Sequence, residues 1–321
     1  MILAAGLGTR LRPLTDERPK PLVPVANRPL AWFTLDHLAR FGIREVIVNT
    51  HHLGDMVRAG LEAWIPTRVE LQVIHEAQLL GTGGALHNAA SLLRRDEPDA
   101  PVIVMNSDIV FAADLERALE LHSRLGAVAT MVLRRDADAA RYGSIAVDAE
   151  GRIRRLLGEP RSAPASASAS APAEAVDLEE CMFTGVHVLS PRAFRDMPER
   201  GCVVRSAYRR WIDTGETVGG IVDETPWRDV GSLATYLAAN LAAARGDLGW
   251  PGLDSAVDGV LRAPTAVIEP GAVLDQVVLG ERAIVRAGVR AERVVVWDGA
   301  TLDEDASGAI VTSRGIIPIA P

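Results

Sequence analysis

The chain has little cysteine and no long uninterrupted apolar run. Cys181 and Cys202 are its only cysteines, and their spacing suggests neither a metal site nor a disulfide framework. No stretch has the pattern of a signal peptide or the length of a membrane-spanning helix. We therefore expect a soluble cytoplasmic protein with no membrane partner.

The sequence also lacks an excess of positive charge, because its formal net charge is −8. Nucleic acids and anionic membranes attract proteins with surplus cations, so this balance argues against both as partners. The 321 residues have an apolar fraction of 48%. They are enough for one large domain with a buried core and a second, smaller one.

Lysine is nearly absent, since Lys20 is the single lysine among 34 basic residues. A compositional bias towards arginine accounts for most of this. Lys20, however, lies between two prolines in the stretch Arg18-Pro19-Lys20-Pro21, and a compact ammonium differs chemically from a planar guanidinium. We therefore predict a functional role for Lys20.

The chain begins with an apolar strand that runs into a glycine-rich turn and then into cations. Gly6 and Gly8 allow backbone conformations in which successive N–H groups point at one anion. Arg10, Arg12 and Lys20 supply the charge that a triphosphate needs, and nearby prolines limit their movement. The stretch predicts a phosphate-binding loop.

The nearest alternative is the dinucleotide-binding pattern G-x-G-x-x-G. Gly6 and Gly8 match its first two glycines, but Leu11 occupies the third position. The dinucleotide interpretation is therefore the weaker one.

The stretch L-A-A-G-L-G-T-R-L-R-P-L-T, followed by R-P-K-P-L-V-P-V-A-N-R-P-L, resembles the signature of the sugar-1-phosphate nucleotidyltransferases. The resemblance implies that Arg10 and Lys20 are catalytic and hold the β and γ phosphates of a nucleoside triphosphate. Members usually carry a few residues before the first strand, which leaves open whether Met1 is the natural start. The implied nucleotide-binding residues of this stretch are Leu3, Ala4, Ala5, Gly6, Gly8, Thr9, Arg10 and Lys20.

Strand and helix patterns alternate after this stretch. Leu30 to Phe41 has helical spacing, and Glu45 to Asn49 is a β-branched run typical of a buried strand. The alternation predicts a parallel sheet with helices on both faces. The resemblance adds that this is a doubly wound, mostly parallel, Rossmann-like α/β nucleotidyltransferase domain, which we place at residues 1–245.

A second glycine-rich loop follows a predicted strand from Val69 to His75. Its glycines let the backbone approach a flat ligand, and the helix that follows favours negative charge at its start. In the family the equivalent loop contacts the base and sugar of the nucleotide. The resemblance therefore assigns Gly81, Thr82 and Gly83 as nucleotide contacts.

Two aspartates are predicted metal ligands. A strand over residues 101–106 leads to Asp108, and ligands collect beyond the carboxyl ends of parallel strands. Asp229 lies in Trp227-Arg228-Asp229-Val230-Gly231-Ser232, which is similar to the family motif W-x-D-[IV]-G-[ST]; helix capping is the alternative role. The resemblance implies that Asp108 and Asp229 bind Mg²⁺, with Asp108 also counted as catalytic.

Three positions are assigned to the sugar through the resemblance. Gly143 lies in a predicted hairpin, and Gly185 lies in a strand where it leaves room for the sugar ring. Glu159 stands where many relatives carry E-K-P, whose lysine holds the sugar phosphate. This chain has Gly158-Glu159-Pro160 instead, so the replacement for that lysine stays open, with a nearby arginine as the candidate.

Two segments outside the sheet have their own composition. Residues 161–175 are rich in alanine, serine and proline and predict a flexible surface insertion. From about residue 261, short apolar triplets alternate with glycines, as in a solenoid. This end resembles the short left-handed parallel β-helix of some guanylyltransferases. We expect a linker at 246–260 and a β-helix at 261–321 that mediates packing and homo-oligomer formation.

The resemblance implies transfer of a nucleotidyl group from a nucleoside triphosphate to a sugar 1-phosphate, with GTP and mannose 1-phosphate as the first choice. Uridylyl or thymidylyl transfer to another sugar 1-phosphate stays open. A catalytically silent regulator that binds nucleotide sugars is a second alternative. A hexapeptide acyltransferase would need more coils with a histidine, and no histidine follows residue 261.

Overall fold

The computed structural model describes residues 1–136, 143–156 and 178–319, and the backbone of 159–160. The insertion predicted at 161–175 and the side chain of Glu159 lie outside this description. The strands before residue 246 are β1 (Ile2–Leu3), β2 (Pro24–Val25), β3 (Arg28–Pro29), β4 (Glu45–Thr50), β5 (Glu70–His75), β6 (Val102–Asn106), β7 (Ile109–Phe111), β8 (Ala129–Arg134), β9 (Ile145–Val147), β10 (Ile153–Leu156), β11 (Glu159–Pro160), β12 (Glu179–Leu189), β13 (Val218–Val222) and β14 (Trp227–Asp229). The α-helices are α1 (Leu30–Arg40), α2 (Gly54–Glu62), α3 (Gly81–Leu93), α4 (Leu115–Leu125), α5 (Arg209–Thr214) and α6 (Leu233–Ala244).

In the described part of the chain, ten strands form one mixed sheet in the order β11-β10-β9-β12-β6-β1-β4-β5, with β8 beside β12 and β13 beside β8. Strands β6, β1, β4 and β5 run parallel. The long strand β12 runs antiparallel to β6, β8 and β9, which extends the sheet beyond its parallel half. The predicted doubly wound α/β class is confirmed, with an antiparallel part that the alternation of elements did not specify.

Both faces of the sheet are covered, which explains the continuous apolar runs in its central strands. Along β6, Val104 packs on the face with α3 and α5, whereas Ile103 and Met105 pack on the face with α1, α2 and α4. Successive strand residues point to opposite faces, so each run supplies two cores.

The last part of the chain, here called the terminal coils, consists of β15 to β22. Their bounds are β15 (Val260–Arg262), β16 (Val267–Ile268), β17 (Val273–Leu279), β18 (Ile284–Val285), β19 (Arg290–Val296), β20 (Thr301–Leu302), β21 (Ala306–Thr312) and β22 (Gly315–Pro318). Strands β15, β17, β19 and β21 stack in parallel, and β16, β18 and β20 form a second parallel stack. This arrangement is compatible with the predicted parallel β-helix. Strand β22 turns back and pairs antiparallel with β21.

Helix α6 lies between the terminal coils and the first part of the chain. Tyr236 and Leu237 of this helix share one apolar core with Leu14 near the N-terminus and with Trp297 of the coils. The indole Nε1 of Trp297 donates a hydrogen bond to the buried Tyr236 hydroxyl at 2.8 Å. The two parts of the chain are therefore joined by a common core.

Within the described residues, no helix has both the length and the apolar character needed to cross a membrane.

Candidate functional site

A cavity of about 240 Å³ opens at the carboxyl ends of the parallel strands. It lies where β1 runs into the first loop (residues 4–22), beside the end of β6 and the second loop (residues 76–84). The last four residues of this second loop form the first turn of α3 rather than irregular backbone. Eight of the residues predicted from the sequence line it: Leu3, Ala4, Ala5, Gly6, Lys20, Gly81, Thr82 and Asp108. Residues that the prediction did not include also line it: Pro21, Asn49, Glu76, Leu79, Asn106 and Ser107.

Lys20 and Asp108 form an ion pair at the wall of this cavity. The Lys20 ammonium lies 2.8 Å from Asp108 Oδ2. Lys20 is buried, and its backbone is held in a short 3₁₀ turn between Pro19 and Pro21. The prolines fix the direction in which the lysine side chain leaves the first loop.

Asp229 is brought next to Asp108 by a two-stranded antiparallel ribbon of β7 and β14. Asp229 pairs with Ile109, and the backbone N–H of Val230 donates to the Asp108 carbonyl oxygen at 3.0 Å. Burial raises the pKa of Asp229 above its usual range, and the nearby Asp108 carboxylate raises it further. The two predicted metal ligands are therefore neighbours that repel each other.

Two cations offset this repulsion in part, because Lys20 and then Arg10 act to lower the pKa of Asp229. Gly231 makes this cluster possible. A Cβ atom at that position would lie 2.6 Å from Asp229 Oδ2 and 3.1 Å from Arg10 Nη2. The glycine of the W-x-D-V-G-S motif thus lets a carboxylate and a guanidinium approach the same backbone segment.

Helix capping, the alternative role for Asp229, belongs to a different residue. The N-cap of α6 is Ser232, whose hydroxyl accepts a hydrogen bond from the backbone N–H of Thr235 in a capping box. The Asp229 carboxylate is therefore available for the cluster with Asp108.

This pair of carboxylates fits a divalent cation that arrives together with phosphate groups. Within the described ranges, no group of three or more His, Cys, Asp or Glu side chains could hold a metal ion by itself. A cation with few protein ligands completes its coordination with water and substrate phosphates. The mutual repulsion between Asp108 and Asp229 is what such a cation would relieve.

The two glycines of the first loop have different roles. Gly8 has φ +63°, and a Cβ there would lie 2.8 Å from Thr15 Cγ2 and 3.0 Å from Lys20 Cβ, so this glycine allows the loop to close on Lys20. A Cβ at Gly6 would meet no heavy atom within 4 Å among the described residues. Gly6 therefore presents open backbone at the cavity, whereas Gly8, Thr9 and Arg10 lie outside its described wall.

The glycines of the second loop pack against the chain itself. A Cβ at Gly81 would lie 2.6 Å from the Gly201 carbonyl oxygen, and one at Gly83 would lie 2.5 Å from Pro198 Cγ. The Gly83 N–H donates to the same Gly201 oxygen at 2.8 Å, and Thr82 Oγ1 accepts from the Val203 N–H. These contacts explain the glycines by internal packing, while Gly81 and Thr82 still line the cavity.

Glu76 is a buried carboxylate in the cavity wall that the sequence interpretation passed over. Asn49 Nδ2 donates to its Oε1 at 2.7 Å, and the Leu80 N–H donates to its Oε2 at 3.1 Å. Asn49 Oδ1 in turn accepts from the Ala4 N–H, which ties Glu76 to the first loop. The sequence contains one signal that could have identified Glu76, namely a carboxylate placed between the end of a strand and a glycine-rich loop.

The residues assigned to the sugar are only partly placed. Gly185 has φ +92°, and a Cβ there would lie 2.7 Å from Asn106 Nδ2. The absence of a side chain at Gly185 therefore makes room for Asn106, which lines the cavity. Gly143 also has a positive φ, of 88°. Glu159 lies on β11, with its side chain outside the described part. The sugar-binding roles stay predictions.

The family model described as nucleotidyl transferase matches residues 1–246. A mannose-1-phosphate guanylyltransferase from Mycobacterium tuberculosis is 28% identical over 307 residues, which cover 94% of this chain and 80% of that protein. A mannose-1-phosphate guanyltransferase beta-B from Xenopus laevis is 34% identical over 163 residues. That match covers 50% of this chain and 45% of the Xenopus protein, so it spans less than half of that relative.

Among solved structures, HddC from Yersinia pseudotuberculosis complexed with GMP-PN has a TM-score of 0.59 and 22% sequence identity. The match covers 74% of this chain and 96% of HddC. At this identity the likeness shows the fold alone.

Proposed function

The chain belongs to the nucleotidyl transferase family, and we propose that it transfers the guanylyl group of GTP to mannose 1-phosphate. The observation that carries this proposal is the cluster of Lys20, Asp108 and Asp229 beside a cavity at the carboxyl ends of parallel strands. Two relatives of the chain are mannose-1-phosphate guanylyltransferases by name. The arrangement of cations and carboxylates suits a triphosphate with its cation.

In the proposed reaction, a phosphate oxygen of the sugar 1-phosphate attacks the α-phosphorus of the triphosphate. A new P–O bond forms, the bond from the α-phosphorus to the bridging oxygen breaks, and the electron pair leaves with pyrophosphate. Such transfers depend mainly on positioning and charge neutralisation, so no protein nucleophile is required. The chain therefore needs to supply cations, backbone N–H groups and fixed geometry.

Lys20 and Arg10 are proposed to bind the β and γ phosphates. Lys20 projects from a proline-bounded turn at the cavity wall, and Arg10 lies near Asp229 at the edge of the same cluster. The open backbone at Gly6 allows the α-phosphate to approach the first loop. Together these groups would neutralise the charge that pyrophosphate carries away.

Asp108 and Asp229 are the proposed ligands of Mg²⁺. Mg²⁺ commonly binds through one or two carboxylates while retaining water and substrate phosphates, which matches the two described aspartates. When bound, the ion supplies charge neutralisation at the phosphates. The residues themselves contribute negative charge at a fixed separation from Lys20.

Glu76 supports guanine as the base. A carboxylate only accepts hydrogen bonds, and its two oxygens offer about four acceptor positions, of which Asn49 and Leu80 use two. Guanine presents N–H donors at N1 and N2, whereas uracil and thymine present a single ring N–H. A buried acceptor in the cavity wall therefore favours guanine over uracil and thymine.

The remaining assignments are also proposals. Gly143, Gly185 and Glu159 would contact the sugar, with residues 1–245 forming the transferase domain and 246–260 a linker. Val257, Val267 and Val273 are large apolar side chains exposed near or on the terminal coils. This exposure supports a homo-oligomer formed through the β-helix at 261–321. A cytoplasmic location is a separate part of the proposal.

A grid of four nucleoside triphosphates against several sugar 1-phosphates, with Mg²⁺, tests the proposal by measuring pyrophosphate release. We expect the strongest signal for GTP with mannose 1-phosphate. A strong signal for UTP or dTTP would change the proposed base or sugar, but nucleotidyl transfer would remain the reaction. No turnover in any combination, with nucleotide binding retained, would reject catalysis in favour of a regulatory role.

A further inference from the structure

The first loop, which carries Lys20, is held from outside the transferase sheet. We infer that the terminal coils position Lys20 through Arg18 and Glu17, and that Asp298 is a positioning residue for the reaction. The inference rests on the proposed function in one respect, namely that Lys20 acts on the triphosphate.

Arg18 makes the first connection. Its Nη1 lies 2.8 Å from Asp298 Oδ2, and its guanidinium stands over the Trp297 ring at 5.0 Å from the centroid. Trp297 is buried and donates to the Tyr236 hydroxyl of α6. Arg18 is therefore bound to a fixed part of the common core rather than to a mobile surface group.

Glu17 makes the second connection. Its carboxylate accepts hydrogen bonds from Thr312 Oγ1 at 2.5 Å and Ser313 Oγ at 3.1 Å, and its side chain is only 11% exposed. Arg314 Nη2 donates to the backbone oxygen of Asp16 at 3.1 Å. The turn between β21 and β22 thus contacts Asp16 and Glu17, the two residues that precede Arg18 in the first loop.

The connection to Lys20 is short and stiff. Arg18 and Lys20 are separated only by Pro19, whose ring fixes its φ angle. The backbone N–H of Leu22 donates to the Pro19 oxygen at 2.8 Å, which closes the turn around Lys20. A displacement of Arg18 would therefore move the lysine ammonium relative to Asp108.

Asp298 is itself held in place. Its Oδ1 accepts a hydrogen bond from the Glu281 N–H at 3.2 Å. A Cβ at Gly280 would lie only 2.4 Å from that oxygen, so the absence of a side chain at Gly280 is what makes room for the carboxylate. The Asp298 end of the ion pair with Arg18 is thus defined by backbone geometry.

A purely stabilising ion pair would behave differently. The side chains of Arg18 and Asp298 are about one-third exposed, and exposed pairs contribute little to stability. A small displacement of a catalytic group, in contrast, can lower turnover by a large factor. The two roles can therefore be separated by comparing turnover with thermal stability.

The test uses the full chain with Asp298→Asn, and Asp303→Asn as the control because Asp303 is exposed on the same coils. We expect Asp298→Asn to lower kcat roughly 10-fold with a nearly unchanged melting temperature. In a Lys20→Ala background the same change should have no further effect, because coupled residues are not additive. Additive losses would overturn the positioning role.

Hydrogen exchange provides a readout that does not depend on activity. Asp298→Asn should speed amide exchange at Leu22 and Val23, while Asp303→Asn should not. Unchanged exchange in both variants would overturn the inference. If the wild-type chain shows no nucleotidyl transfer at all, the proposed function fails, and the exchange comparison still decides whether the coils position the first loop.

Discussion

The Lys20 ammonium lies 2.8 Å from Asp108 Oδ2, although the two residues are 88 positions apart in the chain. The contact joins the first loop to the end of β6 at the cavity wall. It pairs the single lysine of an arginine-rich chain with a carboxylate predicted to bind a metal ion. A compact ammonium can contact a carboxylate and a phosphate within a narrow space.

Replacing Lys20 by alanine should lower turnover by roughly 10²-fold or more, since one preorganised charge would be lost. Lys20→Arg should not restore activity, because the larger planar guanidinium has to fit a mostly buried site between two prolines. Arg68→Lys, in an exposed loop, is the control for a general effect of arginine and lysine exchange. Steady-state pyrophosphate release measures all three. Near-normal turnover of Lys20→Arg would contradict the geometric argument.

Asp229→Asn should stabilise the metal-free protein at neutral pH. Folding raises the pKa of Asp229, so folding favours its protonated form. The wild-type protein therefore loses stability as pH rises from below the usual aspartate pKa through the raised value. A gain of about 1 kcal/mol would raise the melting temperature by roughly 2 °C at pH 7.

The same variant should not gain stability on addition of Mg²⁺, whereas the wild type should. Its advantage should also disappear in acid, where the wild-type carboxyl is protonated. Melting curves at pH 7 and pH 3.5, with and without Mg²⁺, check the sign of both effects. A variant that is less stable than wild type in metal-free buffer at pH 7 would refute the repulsion between Asp108 and Asp229.

Glu76→Gln should weaken the preference for guanine. The amide places N–H donors where guanine also has donors, and an unpaired buried donor costs about 1–3 kcal/mol, or roughly 5- to 150-fold in kcat/KM for GTP. The ratio of kcat/KM for GTP over ITP should fall as well, because inosine lacks the N2 amino group. Glu70→Gln, at an exposed position in β5, is the matched control. An unchanged GTP to ITP ratio would remove Glu76 from base recognition.

Alanine at Gly6 should impair nucleotide binding, whereas alanine at Gly83 should impair the stability of the fold. Gly6→Ala should keep the melting temperature, because the new Cβ enters open space, but should raise KM for the triphosphate. Gly83→Ala should destabilise the fold by about 1–3 kcal/mol, because its Cβ would overlap Pro198. Denaturant unfolding and nucleotide titration separate the two. Equal destabilisation by both changes would contradict the assigned roles.

Mild acid should destabilise the protein through two buried histidines. Burial lowers the pKa of His122 to about 4 and that of His187 to about 3. Unfolded chains take up protons at these residues below about pH 6.5, whereas the folded chain takes them up only near pH 4 at His122 and near pH 3 at His187. Each therefore lowers the free energy of unfolding by up to about 1.4 kcal/mol per pH unit as the pH falls.

His122→Gln should flatten this dependence between pH 6.5 and 4, since glutamine does not titrate but can still hydrogen-bond Thr130 and Ser190. His52→Gln, in an exposed loop, is the control. Urea unfolding at several pH values gives the slope. A slope identical to that of wild type would show that His122 takes up protons equally in both states.

Much of the architecture could be predicted from the sequence because local patterns specify it. The helix predicted at Leu30–Phe41 is found at Leu30–Arg40, and the strand predicted at Val69–His75 is found at Glu70–His75. The family inferred from the first motif is confirmed by the family model over residues 1–246. Apolar periodicity and turn residues are local signals, so they can be recognised without knowledge of the tertiary fold.

Contacts between distant segments could not be predicted from the sequence. Neither the pairing of Asp229 with Ile109 nor the packing of Gly83 on Pro198 has a local signal. The second loop shows the consequence. Its glycines stay predicted nucleotide contacts, and no local pattern in the sequence indicates that Gly81 and Gly83 also pack against residues 198–201. Glu76 was missed for the same reason, since its partner Asn49 lies on another strand.

The antiparallel strand β22 limits how the terminal coils can associate. A stack of parallel strands ends in a row of unpaired N–H and C=O groups, which another coil or another molecule could extend. Here β21 is already paired with β22, which ends at Pro318, a residue without an N–H. The edge of β21 is therefore not available to extend the parallel stack with another coil or another molecule.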